Sequence, residues 1–263
     1  MSERKLTALV TGASGGIGEE LARLFAADGH SLVLVARSRD KLERLAGELQ
    51  QKHNVSARVL AADLARPESP REIFDELQSA GVQVDALVNN AGFGSYGLFA
   101  ETDLRQELEL LQVNVVALTH LTKLFLPPML ARRRGYVMNV ASTASFQPGP
   151  LMAVYYASKA YVLSLSEALA NECGGTGVRV SALCPGPTET GFVAAAGMGD
   201  SKLFDRAVMD ARTVAVAGYR GLLAGEAVVI PGFRNNFLAR SIGFFPRGLV
   251  TKVVRGIQEK RSR

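Results

Sequence analysis

Short apolar runs alternate along the chain with longer segments in which apolar residues recur at helical spacing. Residues 6–10 form an apolar run that ends in a glycine-rich turn, and residues 19–27 follow with Leu21, Leu24 and Phe25 on one helical face. The same pattern predicts further strands at 31–36, 57–62, 84–88, 135–140, 178–183 and 227–230. It predicts further helices at 40–51, 70–80, 103–126 and 154–171, with the helix at 103–126 ending before two consecutive prolines.

Alternating strands and helices predict the fold class, an α/β protein with a doubly wound, mostly parallel sheet and helices on both faces. Ligands of such sheets bind beyond the carboxyl ends of the strands. The glycine turn, Asn89 and Asn90, Ser142, and Pro185 with Gly186 each follow a predicted strand. We therefore expect these residues to line one cleft.

Length and composition support one globular domain over residues 1–263. The chain has 48% apolar and 21% charged residues, which is ordinary globular composition. Cys173 and Cys184 are too few for a disulfide framework, and the N-terminus lacks a signal-peptide pattern, so a cytoplasmic location is expected. Polar residues and prolines interrupt the uncharged stretch 135–158, which argues against a membrane span there.

Positive charge is concentrated in the C-terminal tail, residues 234–263. The chain has a net charge of +5, and the tail alone carries eight Lys or Arg against one acid. A tail that mixes these cations with Phe, Leu, Ile and Val would suit an anionic membrane or an acidic partner. Packing against its own subunit is favoured instead, because Pro246 and three glycines weaken a continuous amphipathic helix. No nucleic-acid partner is expected.

The glycine turn is a candidate phosphate site. Gly12, Gly16 and Gly18 would permit a tight turn, close approach of the backbone to a pyrophosphate, and helix packing. The spacing differs from the usual G-x-G-x-x-G, and a plain structural turn is the alternative. The strand before the turn and the helix after it favour a dinucleotide cofactor.

Two positions bear on which dinucleotide would bind. Strand two ends at Arg37, where an NAD site usually has an acid, so a 2′-phosphate and hence NADP(H) is favoured, with Ser14 as a further donor. The alternative for Arg37 is a solvated surface arginine. Asp63 would accept from the adenine amino group, or serve only as a turn residue.

Tyr155, Lys159 and Ser142 are the candidate catalytic residues. Lys159 lies one helical turn after Tyr155, so its ammonium would stabilise a phenolate. Lowering a tyrosine pKa by roughly three units from about 10 requires about 4 kcal/mol, whereas an exposed pair contributes about 0 to 1 kcal/mol. The pair therefore requires a desolvated cleft, helped by the positive charge of an oxidised nicotinamide.

Three asparagines sit where a polar side chain needs a partner. Asn114 interrupts an apolar helical run, so it either bonds to a neighbouring strand or holds a water that relays protons toward Lys159. Asn89 and Asn90 either tie neighbouring turns together or line the cofactor cleft. The three histidines lack metal-ligand spacing, and no metal is expected.

Taken in order, these motifs resemble the short-chain dehydrogenase/reductase family in its single-domain "classical" division, over about the first 190 residues. The matching residues are Thr11, Gly12, Gly16, Gly18, Asp63, Asn89, Asn90, Ala91, Gly92, Asn114, Ser142, Tyr155, Lys159, Pro185, Gly186 and Thr190. The resemblance implies a seven-stranded Rossmann-like sheet. It also implies that Ser142 polarises a substrate carbonyl, Tyr155 transfers the proton, Lys159 holds the nicotinamide ribose, and Asn114 occupies the relay position. Tyr156 lacks the four-residue step to Lys159 and is not the family's tyrosine.

The resemblance extends to the cofactor. Thr188 and Thr190 would contact the nicotinamide carboxamide and the phosphates, and Asn90 the adenosine half, while Arg37 resembles NADPH-preferring bacterial members. The predicted cofactor-binding residues are Gly12, Ser14, Gly15, Gly16, Ile17, Gly18, Arg37, Asp63, Asn90, Gly92, Tyr155, Lys159, Pro185, Gly186, Thr188 and Thr190. Homodimers or homotetramers through the helices at 103–126 and 154–171 are expected by the same likeness.

The only sequence evidence on the chemical class of the substrate is a set of apolar residues that are candidates for the pocket wall. The family's variable lid falls at residues 191–217, and the candidate pocket walls are Phe93, Phe146, Met152, Phe192 and Met198. They favour an apolar ketone or a 3-oxoacyl compound. Two alternatives stay open: an NADP(H)-binding regulatory or scaffold protein without catalysis, and a nucleotide-sugar epimerase or dehydratase. The last would need a longer substrate domain than the residues after Thr190 supply.

Overall fold

Nine strands are present in the computed structural model, which describes residues 5–191 and 208–259. Seven of them form the main sheet: β1 Thr7–Thr11, β2 Ser31–Ala36, β3 Ala57–Ala61, β4 Ala86–Asn89, β5 Gly135–Val140, β6 Val178–Leu183 and β9 Val228–Val229. Two short strands, β7 Thr188–Glu189 and β8 Met209–Asp210, pair separately.

Helices follow nearly every strand. They are α1 Gly16–Ala27, α2 Arg39–His53, α3 Ser69–Ser79, α4 Leu104–Leu111, α5 Leu118–Ala131, α6 Ala153–Glu172, α7 Ala211–Ala224, α8 Phe233–Ser241 and α9 Arg247–Gln258. A π-helical turn, Gln112–Ala117, joins α4 to α5. The 3-10 turns Thr143–Phe146 and Ile242–Phe244 precede α6 and α9.

The main sheet has the order β3-β2-β1-β4-β5-β6-β9, and all its pairs are parallel. On β1, Ala8 and Val10 face one hydrophobic cluster with Phe25, while Leu9 faces the other with Phe125. Because both faces of the strand are buried, its sequence is a continuous apolar run without polar alternation. The predicted fold class is confirmed.

The helix predicted at 103–126 is longer and less regular than expected. It includes the π-helical turn and continues through Pro127 and Pro128 to Ala131, so the predicted end before the prolines is wrong. Phe125 and Met129 lie one turn apart and are both buried in the core. Their packing across the prolines holds the last turn in place where propensity alone would end it.

Among the described residues, one helical run, Leu104–Ala131, is long and apolar enough to cross a membrane by length and composition alone. Leu121, Phe125 and Met129 of this run belong to the buried core against the sheet. The run is therefore a core helix of the fold.

The C-terminal part contains two separate helices, as the glycines and Pro246 led us to expect. Pro246 immediately precedes α9. Ala239 of α8 and Val254 and Gln258 of α9 are buried, so one side of the tail packs against its own subunit. Helix α7 begins at Ala211, inside the segment 191–217 predicted as the lid, and the lid stays a prediction. Phe192 and Met198 lie outside the described residues.

Candidate active site

A cleft of about 930 Å³ opens at the carboxyl ends of the strands. The cleft gathers most of the predicted site residues from segments far apart in sequence. Its lining includes Gly12, Ser14, Gly15, Gly16, Ile17, Arg37, Asp63, Asn90, Gly92, Ser142, Tyr155, Lys159, Pro185, Gly186, Thr188 and Thr190. Gly18 and Asn114 are the two predicted residues that do not line it.

The glycine turn is built for close packing. Gly12 and Gly16 have φ of +65° and +58°, a conformation that favours glycine. A Cβ on Gly18 would lie 2.4 Å from the carbonyl oxygen of Gly12, so α1 can pack on the turn only without a side chain there. Gly18 therefore acts in helix packing and does not line the cleft, and its prediction as a cofactor contact stays a prediction. Apart from its two neighbours in the chain, no described residue lies within 4 Å of the Cβ position of Gly15, which leaves space beside the N-terminus of α1.

Asn90 fixes that turn. Its side-chain amide donates to the carbonyl oxygens of Thr11 at 3.0 Å and Gly12 at 3.2 Å. The Thr11 hydroxyl in turn accepts from the backbone N–H groups of Asn90 and Ala91. Both interpretations of Asn90 thus hold, because it ties two turns together and also lines the cleft.

Asn89 has only the structural role. It is buried, and its amide donates to Thr122 Oγ1 and to Asn139 Oδ1, both at 2.9 Å. Successive side chains at the end of a strand point to opposite faces of the sheet. Asn89 therefore points into the core, and Asn90 lies at the cleft.

The end of β2 presents positive charge to the cleft. Arg37 and Lys41 both line it and are exposed. The sequence reasoning missed Lys41; its signal was a basic residue in the first turn of the helix after β2. Asp63 Oδ1 accepts from the backbone N–H of Ala65 at 3.0 Å, so Asp63 caps a turn and also lines the cleft.

Loop residues after β6 close the other end of the cleft. The Thr188 hydroxyl donates to the Gly186 carbonyl at 2.8 Å, and the Pro185 carbonyl accepts from the Thr143 backbone at 2.9 Å. A Cβ on Gly16 would lie 3.0 Å from Thr190 Cγ2, so this loop packs directly on the glycine turn.

Tyr155 lies on α6 with only 8% of its surface exposed. Burial raises its pKa to about 12, because removing water disfavours the phenolate, and a hydrogen bond from the Ser142 side chain opposes this effect. The Ser142 oxygen also accepts from the Ala144 backbone at 3.1 Å, which orients the hydroxyl. The buried cleft that the tyrosine and lysine require is therefore present.

Burial, and not the Lys159 ammonium, is the largest influence on the pKa of Tyr155. Its ammonium donates to the Val140 carbonyl at 2.8 Å and lies 5.9 Å from the centre of the Tyr155 ring. Burial lowers the pKa of Lys159 itself to about 8. Desolvation thus acts on both groups in the direction of their neutral forms, and the lowering of the Tyr155 pKa by Lys159 together with an oxidised nicotinamide stays a prediction.

Asn114 lies in the π-helical turn and is fully partnered. Its Oδ1 accepts from the Phe93 backbone at 3.1 Å, and its Nδ2 donates to the Phe93 carbonyl and to Ser158 Oγ. Asn114 therefore has a structural role, but its partners are a loop and α6 and not the neighbouring strand that was predicted. A Cβ on Gly92 would lie 2.9 Å from Asn114 Oδ1 and 3.4 Å from Lys159 Nζ, so only glycine fits between them.

Further side chains line the cleft besides the polar site residues. Phe93 and Met152 line the cleft as predicted, together with Gln147 and Tyr156, which sequence reasoning missed. The hydrophobic periodicity of the sequence did not indicate that Tyr156 lines the cleft. The direction of its side chain depends on how α6 is rotated about its own axis, which the sequence does not specify. Phe146 packs in a different hydrophobic cluster, and its prediction as a pocket wall is wrong.

Comparisons with known proteins agree with this geometry. The profile of the family described as short chain dehydrogenase matches residues 6–200. A very-long-chain 3-oxoacyl-CoA reductase from Phaeosphaeria nodorum is 37% identical over 180 residues, which is 66% of this chain and 52% of that protein. The chain thus spans about half the length of the curated relatives it matches.

Two solved structures cover nearly the whole chain. A short-chain dehydrogenase from Sphingobium yanoikuyae in complex with NADPH is 32% identical, with a TM-score of 0.83 over 97% of this chain and 98% of that one. A bulky-bulky ketone specific alcohol dehydrogenase from Comamonas testosteroni is 32% identical, with a TM-score of 0.77 over 93% of each chain.

Proposed function

The chain belongs to the short-chain dehydrogenase family, and on that basis we propose that it is an NADP(H)-dependent oxidoreductase acting on carbonyl and secondary alcohol groups. One observation carries the proposal. Ser142, Tyr155 and Lys159 meet in a buried part of the same cleft that contains the glycine turn. A reacting carbonyl and a dinucleotide can therefore be held side by side.

The cleft fits NADP(H) at both ends. At the glycine turn, the open space beside Gly15 and the N-terminus of α1 suit a pyrophosphate. Arg37 and Lys41 would neutralise a 2′-phosphate, and Ser14 would add a hydroxyl donor. Gly92 and Lys159 both line the cleft and would lie beside the nicotinamide end of the cofactor. The relative from Sphingobium yanoikuyae that contains NADPH supports this choice of dinucleotide.

Bound NADPH would supply a hydride to the carbonyl carbon. The Ser142 hydroxyl would donate a hydrogen bond to the carbonyl oxygen and hold it against Tyr155. The Tyr155 hydroxyl would transfer its proton to that oxygen, and the Lys159 ammonium would stabilise the phenolate until water returns a proton. In alcohol oxidation the tyrosine would accept the proton instead.

The raised pKa of Tyr155 suits the donor role, because the hydroxyl stays protonated throughout the neutral range. The positive charge of oxidised nicotinamide would act in the opposite direction and favour the phenolate needed for alcohol oxidation. The position of Asn114 beside Gly92 and Ser158 allows the proton-relay role, which stays a prediction.

An apolar ketone or a 3-oxoacyl compound is the proposed substrate class. Phe93, Met152 and Tyr156 give the wall beside Tyr155 a mainly apolar character. The ketone-specific relative and the 3-oxoacyl-CoA reductase support the two branches of this class.

The experiment is a spectrophotometric measurement of NADPH and NADH oxidation with a panel of apolar ketones and 3-oxoacyl thioesters. Wild type should consume NADPH, and Tyr155→Phe should lose turnover by about a hundredfold or more while still binding NADPH. Tyr161→Phe, on the exposed side of the same helix, is the matched control. Equal turnover by wild type and Tyr155→Phe would exclude the proposed chemistry; binding without turnover by either would favour a regulatory or scaffold protein.

We also propose a cytoplasmic homo-oligomer. Both cysteines are buried free thiols, which suits a reducing compartment. Leu108, Val116 and Tyr161 are large apolar side chains exposed on α4, the π-helical turn and α6. Packing against a second copy would bury them, and sedimentation equilibrium of the full chain tests this.

A further inference from the structure

We propose that the C-terminal segment Phe233–Gln258 docks on the surface of an anionic lipid bilayer. This segment, here termed the tail face, comprises α8, the 3-10 turn after it and α9. The proposal goes beyond the oxidoreductase function and does not depend on it.

Large apolar side chains on the tail face are exposed to an unusual degree. Phe233 and Phe244 are 86% and 88% exposed, and all seven residues from Gly243 to Leu249 are exposed. The exposed apolar residues are Phe233, Phe237, Leu238, Phe244, Phe245, Leu249 and Val253. Soluble proteins seldom leave so many aromatic and aliphatic side chains uncovered in one short segment, and such patches mark interaction surfaces.

The helices of the tail face are two-sided. On α9, Val254 and Gln258 point into the protein, while Leu249 and Val253, one turn apart, point outward. On α8, Ala239 is buried and Phe237 is exposed. One side of the segment is thus anchored to its own subunit, and the other is left without a covering element in the part of the chain that the structure describes.

The charge on the tail face indicates that its binding partner is anionic. Residues 233–258 contain five basic residues and no Asp or Glu: Arg234, Arg240, Arg247, Lys252 and Arg255. All five are exposed. Cations beside exposed phenylalanines are the pattern of a segment that lies in a bilayer interface, with rings among the acyl chains and cations at anionic headgroups.

A second copy of the chain is a poorer occupant. A twofold interface places the same patch against itself. Arg255 is paired at 3.4 Å with Glu259, just beyond the segment, but the other four cations of one subunit would face those of the other without an acid in the segment to compensate. A bilayer containing anionic lipid supplies both the negative charge and the apolar environment in one surface.

The tail face is also joined to the cleft. The Tyr96 hydroxyl donates to the Gln258 carbonyl at 2.7 Å, and the Gln258 side chain donates to the Tyr156 hydroxyl. A docked tail would therefore hold the substrate end of the cleft at a fixed position relative to the bilayer.

The test is co-sedimentation of the full-length protein with vesicles of equal parts phosphatidylcholine and phosphatidylglycerol, and with vesicles of phosphatidylcholine alone. Wild type should bind the anionic vesicles about tenfold or more tightly than the neutral ones, and salt should weaken the binding. Phe244→Ser/Phe245→Ser should reduce binding about tenfold, because two exposed rings no longer enter the interface. Arg247→Glu/Lys252→Glu should reduce it at least as much.

Arg58→Glu/Arg71→Glu is the matched control, because it reverses two exposed cations on β3 and α3. It should bind anionic vesicles within about twofold of wild type. Unchanged thermal unfolding of the Phe244→Ser/Phe245→Ser variant checks that the fold is intact.

Three results would overturn the proposal. Wild type would remain in the supernatant with both vesicle types, or the control variant would lose as much binding as the tail variants. Alternatively, Phe244→Ser/Phe245→Ser would lower the mass of an oligomer without any vesicle binding by wild type, which would make the tail face an interface between copies.

Discussion

The side-chain amide of Gln258, the last residue of α9, donates a hydrogen bond to the hydroxyl of Tyr156, 102 residues earlier in the chain. Gln258 is fully buried. Tyr156 packs edge-on against Tyr155, with ring centres 6.0 Å apart. Helix α9 therefore supports, through Tyr156, the part of the cleft wall next to the proposed catalytic residue Tyr155.

Loss of that bond should destabilise the protein. We expect Gln258→Leu to lower the free energy of unfolding by about 1–3 kcal/mol, because it leaves the buried Tyr156 hydroxyl without this donor. Gln78→Leu, an exposed position on α3, should change it by less than about 0.5 kcal/mol. Urea unfolding measures both.

A double-mutant cycle separates the bond from other effects of the substitutions. If the bond is responsible, Gln258→Leu/Tyr156→Phe should cost less than the sum of the two single variants. Additive losses would show that the two side chains act independently.

Gly18 should tolerate no side chain. Gly18→Ala would place a methyl group 2.4 Å from the Gly12 carbonyl, so α1 must move away from the turn. We expect a loss of about 1–3 kcal/mol in stability and weaker NADPH binding. Gly47→Ala, on α2 with no other described element within 4 Å of the added methyl group, should instead stabilise by about 0.5–1 kcal/mol because alanine favours helix. Thermal unfolding and NADPH fluorescence titration provide the two readouts.

Arg37 and Lys41 should determine the preference between cofactors. Replacing both with alanine should weaken NADPH binding about tenfold to a hundredfold, with little effect on NADH, because only NADPH carries the 2′-phosphate. Arg39→Ala is the control, since Arg39 is exposed on the same helix but does not line the cleft. Equal losses for NADPH and NADH would show that the two cations do not recognise the 2′-phosphate.

Burial of Lys159 should make stability depend on pH. Its pKa is about 8 in the folded protein against an ordinary value of 10.5, so between these values the unfolded chain binds a proton that the folded one does not. Stability contributed by this position therefore rises with pH across that window.

The comparison of wild type with Lys159→Met isolates this effect from other titrating groups. The free energy of unfolding of wild type, relative to the variant, should increase on the order of 3 kcal/mol from pH 8 to pH 10.5. Denaturant unfolding at several pH values measures it, and a difference that does not vary with pH would mean that Lys159 has an ordinary pKa.

The sequence by itself determined the order of the strands and helices, because a strand buried on both faces must be a continuous apolar run and a packed helix must repeat at helical spacing. Strands β2, β5 and β6 have the predicted bounds. It also determined which residues gather at the cleft, since parallel strands bring their carboxyl ends to one edge.

Only the tertiary structure decided features that depend on contacts between distant segments. Packing of Phe125 and Met129 carries α5 past two prolines, which local propensity opposes. Burial lowers the pKa of Lys159 and raises that of Tyr155, whereas their four-residue spacing alone suggested a lowered pKa for the tyrosine. The pKa shift caused by desolvation depends on all the atoms that surround a titratable group. The spacing of two residues along one helix gives information on only one of those neighbours.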